Sequence, residues 1–116
     1  MAKQFDCFND EQIAFIDEQS LFFVATADRD EEVNVSPKGM DSGNETAAHI
    51  LNQNRMTLMW CSFGRSPLVL RAYGQAQCHQ PNDPDWASLR TFFPNYHGAR
   101  QIFTMTINLV QTSCGF

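Results

Sequence analysis

The sequence predicts a mainly β domain with short helices, wound as a closed or nearly closed antiparallel barrel. Three observations predict it. About five runs of strand length are rich in β-branched and aromatic residues, and they either alternate or stay apolar throughout. The helical segments between them are too short, and the turns too tight, to act as parallel crossovers. Of 116 residues, 43% are hydrophobic, enough for one core, so residues 1–116 read as a single domain.

Asn9 and Gln12 form a capping box, with Phe8 and Ile13 spaced as a hydrophobic staple, which predicts a helix from Asp10 to about Gln19 with Ile13 and Ile16 inward. Leu21 to Ala27 is a short apolar run and reads as a central strand. A charged turn, Asp28 to Glu32, leads into Val33-Asn34-Val35-Ser36, whose alternation predicts the second arm of a hairpin, halted by Pro37. Ser42 and Glu45 make a second capping box, predicting a helix from Gly43 to about Asn52. Met56–Phe63 and Leu68–Ala76 read as strands, the latter with a bulge or close backbone approach at Gly74. Asp83-Pro84 opens a short helix through Trp86, Leu89 and Phe92. Gln101 to about Thr112 is a long strand with Phe103, Met105, Ile107 and Leu109 on one face.

Eight basic residues against thirteen acidic ones give a net charge of −5, which argues against a nucleic-acid footprint or an electrostatic membrane role. The N-terminus lacks an apolar signal region and no stretch is long enough to span a bilayer, so a cytoplasmic protein is expected. Cys7, Cys61, Cys78 and Cys114 are widely spaced, without a CxxC pair, and no metal site is expected. His49, His79 and His97 show no catalytic spacing and read as structural.

Two segments have the composition of a phosphate seat. Ser36-Pro37-Lys38-Gly39 offers a hydroxyl, an ammonium and close backbone approach. Gly43-Asn44-Glu45-Thr46 is a helix start, where free N–H groups and the helix dipole favour an anion. Taken singly, each also reads as an ordinary turn or cap. Together they suggest a small phosphorylated ligand.

These segments occur in order with Phe22-Phe23-Val24-Ala25-Thr26-Ala27, Arg71-Ala72-Tyr73-Gly74, Gly98-Ala99-Arg100-Gln101-Ile102-Phe103 and Val110-Gln111-Thr112-Ser113-Cys114-Gly115. The set resembles the pyridoxamine 5′-phosphate oxidase-like family of FMN-binding split barrels across nearly the whole chain. The resemblance implies an antiparallel split β-barrel that pairs as a homodimer and holds FMN at the interface. It implies Ser36 and Lys38 near the FMN phosphate and ribityl tail, Asn44 and Thr46 facing the phosphate, and Gln111 and Ser113 beside the ring. Met40-Asp41-Ser42 joins the first two motifs directly, where the family pattern carries a further strand, so a shortened member with an uncovered barrel edge is expected. The expected function is an FMN-dependent oxidoreductase acting on a small-molecule substrate. The alternative is a non-enzymatic shortened dimer that has lost FMN and binds another small ligand or none. The many Phe and Met residues also fit a third reading, an apolar-cleft binding module.

Overall fold

The structure, a computed structural model, describes residues 2–30, 32–38, 54–93 and 101–114. Their elements in chain order are β1 (Lys3–Phe5), α1 (Asp10–Glu18), β2 (Phe22–Thr26), β3 (Asn34–Lys38), β4 (Arg55–Ser62), β5 (Leu68–His79), α2 (Trp86–Arg90) and β6 (Ile102–Cys114). The strands form one six-stranded antiparallel sheet in the order β1-β6-β5-β4-β2-β3. Among the described residues the sheet does not close, and β1 and β3 are its margins.

Cross-strand partners share a face, so the register divides the sheet. Phe22, Val24, Met56, Leu58, Trp60, Leu70, Ala72 and Val110 occupy the inner face. Leu70 and Val110 are completely buried there, each worth about 1.5–3 kcal/mol of apolar burial. Trp60 anchors this layer: Phe8 meets it edge-on and Phe22 stacks on it, both at 5.9 Å between ring centroids. Phe15 and Ile16 of α1 close over the same cluster. The capping box that starts α1 is formed, with Asn9 Oδ1 accepting from the Gln12 amide at 2.8 Å and Gln12 Oε1 from the Asn9 amide at 3.0 Å.

Several expectations are corrected. The count of about five strands omitted β1, three residues too short for a periodic signal. Ile13 is exposed and Gln12 is buried in its place, because Gln12 folds back onto the cap. Pro37 does not halt β3 but pairs with Phe23; a marginal strand tolerates a residue without an N–H. The alternation over Val33–Ser36 holds: Val33 and Val35 are exposed, while Ser36 shares the inner face with Val24. Phe103, Met105 and Ile107 do line one face, but Leu109 does not join them. The register of β6 slips against Tyr73 and Gly74, so Asn108 is an extra residue, Leu109 turns outward and Val110 turns into the core. The expected bulge at Gly74 is that slip. The helix through Phe92 is confined to Trp86–Arg90: Asp83 spends its carboxylate on the Gln80 amide in the preceding turn, and beyond Arg90 the Thr91, Phe92 and Phe93 amides bond three residues back, as in a tighter turn. The expected helix from Gly43 to Asn52 lies outside the described residues.

Candidate functional site

Ser36 and Lys38 project from β3 on the inner face, opposite Val24 and Phe22. Alternate residues on a strand are ~7 Å apart, so an ammonium on its flexible stem and a hydroxyl two residues away can reach one phosphate. Ser36 Oγ is shielded from solvent and has no hydrogen-bond partner among the described residues. A hydroxyl left in that state costs about 1–3 kcal/mol. The donor set, one hydroxyl and one cation on a shared face, fits a phosphate monoester. Asn44 and Thr46, the other half of the expected seat, lie outside the described residues.

Gln111 and Ser113 occupy the outer face of β6, beside Arg71 and Val69 of β5. Gln111 Oε1 accepts from the Tyr73 hydroxyl at 3.2 Å, and Ser113 Oγ accepts from Arg71 Nη1 at 3.3 Å. Strands β2, β4 and β5 separate β6 from β3, a path of roughly 19 Å along the sheet. The two pairs lie on opposite faces.

The outer face is only partly polar. Phe23, Met59, Val69 and Leu109 are half-buried on it, around Arg71 and Tyr73. A groove of about 470 Å³ runs along its other end, between Ala25, Thr57, Tyr73 and the bulged Asn108, with Arg55 and Gln75 at its rim. That volume is within the range of small-molecule sites.

His79 is buried at the end of β5. Its Nε2 lies 2.9 Å from Thr104 Oγ1 and its Nδ1 lies 3.3 Å from Asp85 Oδ2. Facing a carboxylate, which only accepts, Nδ1 is the donor of that pair, and Nε2 meets the threonine hydroxyl. Both nitrogens are satisfied, as a structural histidine requires. Burial pushes the Cys78 thiol up in pKa, the Asp83 carboxylate pushes it further, and a hydrogen bond from Gln80 opposes them. All four cysteines are free, and no cluster of His, Cys, Asp or Glu among the described residues forms a metal site. None of the described helices is long and apolar enough to cross a membrane.

The sheet order and the inner and outer faces define an open, antiparallel split barrel, the architecture that solved structures share. The streptococcal protein HupZ (Group A Streptococcus) superposes with a TM-score of 0.64 at 17% identity, over 93% of this chain and 89% of that one. A putative pyridoxamine 5′-phosphate oxidase from Corynebacterium glutamicum superposes with a TM-score of 0.60 at 10% identity, over 98% and 99% of the two chains. HutZ, the heme storage protein of Vibrio cholerae, gives 0.55 at 16% identity, over 85% and 90%. The sequence profile of the family described as pyridoxamine 5′-phosphate oxidase matches residues 8–114. The pyridoxamine 5′-phosphate oxidase family protein ustO of Aspergillus flavus is 34% identical over 120 residues, covering 84% of this chain and 48% of that protein. The chain belongs to the pyridoxamine 5′-phosphate oxidase family. It spans about half the length of that curated relative. An alignment of 120 residues is longer than the chain itself, so the relative carries residues within the matched stretch that this chain lacks.

Arg71 and Tyr73 were part of the family resemblance but not of the expected site. A signal for them exists in the sequence: in Leu68-Val69-Leu70-Arg71-Ala72-Tyr73, the fully buried Leu70 and Ala72 alternate with an arginine and a tyrosine on the other face. Asn108 carries no comparable signal, because only the register slip turns it toward the groove.

Proposed function

We propose that this chain is a cytoplasmic FMN-binding oxidoreductase that works as a homodimer on a small-molecule substrate. The observation that carries the reading is the Ser36 hydroxyl, buried without a partner among the described residues, with the Lys38 cation two residues away on the same face of a marginal strand. In this reading Lys38 neutralises the FMN phosphate, Ser36 donates to it, and Asn44 and Thr46 complete the seat. Gln111 and Ser113 then act on the ring from a second copy, since within one chain they face the wrong way. The half-buried apolar residues of the outer face give that copy a surface to cover. Bound flavin supplies hydride or electron transfer, and the protein contributes position and charge.

The test is colour. Freshly isolated protein with flavin absorption bands that are released on denaturation, and a dimer by sedimentation, supports the reading. Colourless protein that fails to take up added FMN overturns it. The longer alignment with the Aspergillus relative favours one second reading, a shortened dimer that has lost FMN and holds another small ligand or none. A Soret band in place of flavin bands would instead place this chain beside HutZ, whose own description is heme storage.

A further inference from the structure

We propose that Arg71 is a binding point for a small-molecule oxyanion, a carboxylate or a phosphate monoester, on the outer face of the sheet. The site shares Gln111 and Ser113 with the flavin reading but goes beyond it: it needs no flavin to form, and it lies on the face opposite Ser36 and Lys38.

Arg71 stands in the middle of that face. Met59 of β4 and Gln111 of β6 flank it across the sheet, and Val69 and Tyr73 flank it along β5. The residue is half-buried. One of its N–H groups donates to Ser113 Oγ at 3.3 Å, and no carboxylate pairs with it among the described residues. A guanidinium is always charged and carries five donors in a planar fork. Here one donor orients the fork while the others have no side-chain acceptor among the described residues. The neighbouring amide is held in a complementary way. Gln111 Oε1 is occupied by the Tyr73 hydroxyl, which leaves the Nε2 donor end of the carboxamide as the free end. A cation and an amide donor are thus fixed side by side by Ser113 and Tyr73, between apolar neighbours that lower the local dielectric. Both groups donate, so the complementary ligand is an acceptor with negative charge. An oxyanion meets both conditions, and the fork matches its paired oxygens.

The experiment follows the Nε–Hε resonance of Arg71 in the full chain, assigned with Arg71→Met, during titration with sodium acetate, sodium phosphate or sodium chloride at constant ionic strength. A saturable shift with acetate or phosphate, absent with chloride, is the expected result, and the stronger of the two names the ligand class. Ser113→Ala, which frees the guanidinium but leaves the backbone ladder in place, should weaken that response. No saturable shift with either oxyanion overturns the inference. A shift that follows protein concentration rather than added anion also overturns it, because a carboxylate of a second copy then fills the position. Flavin absorbance of the same sample is read separately. Colourless protein with a full anion response sinks the flavin reading alone, and yellow protein with no anion response sinks this inference alone.

Discussion

Gly74 of β5 lies so close to the carbonyl of Thr106 in β6 that a Cβ on it would overlap the carbonyl oxygen. The contact falls at the register slip, where Asn108 is the extra residue. Because the obstacle is backbone, no rotamer change relieves it. Gly74→Ala should destabilise the fold by about 1–3 kcal/mol, read as a lower urea midpoint. An unchanged midpoint would show that the two strands can separate at the bulge at no cost.

Ser36 and Lys38 should respond differently to truncation. Lys38→Ala should weaken FMN binding by about 1.5–3 kcal/mol, the range of a charge-assisted hydrogen bond, with little effect on the free protein. Ser36→Ala removes a buried hydroxyl that lacks a partner among the described residues. It should stabilise the free protein by roughly 1–2 kcal/mol while weakening FMN binding. Thermal melts with and without FMN read both signs. A destabilised Ser36→Ala protein would mean that the hydroxyl is already engaged.

The His79 clamp ties the end of β5 to the turn before α2 and to β6. Thr104→Val removes the partner of Nε2 and leaves a buried nitrogen unsatisfied, which should cost about 1–3 kcal/mol. Asp85→Asn should cost less, because Asp85 is exposed and its interaction is screened by solvent. Chemical denaturation of the two variants tests the order.

Cys78 has a thiol pKa raised by burial and by Asp83. A raised pKa in the folded state favours the protonated thiol. Its contribution to stability is complete below the ordinary value of 9.0 and is lost as pH rises through the folded value. The thiolate is the reactive form, so at pH 8 Cys78 should alkylate more slowly than the exposed Cys7 and Cys114. Asp83→Asn should speed it. Equal rates at the three positions, followed by mass spectrometry, would contradict the assignment.

The capped start of α1, the β2–β3 hairpin and the slip at Gly74 were legible in the sequence because each rests on local chemistry: a cap pair, a charged turn, a glycine inside a strand. What was not legible depends on position in the sheet. Pro37 reads as a strand stop, yet a marginal strand accepts it. Alternation assigned Leu109 to the apolar face, and one extra residue at Asn108 reversed it. For the site, the motif around Ser36 and Lys38 named two residues that do share a face. It did not reveal that Gln111 and Ser113 face the other way, because pairing across intervening strands leaves no mark in any short segment.

The margin formed by β3 also bears on how the protein behaves when concentrated. Pro37 faces Phe23 with no N–H to give, and Lys38 follows it. A second chain adding a strand outside β3 would meet a rung that lacks a donor, and then a positive charge. Lys3 begins the opposite margin in the same manner. Among the described residues, growth by adding a strand to an edge of the sheet is therefore poorly templated at either margin, even though two valines of the β2–β3 hairpin stand open to water.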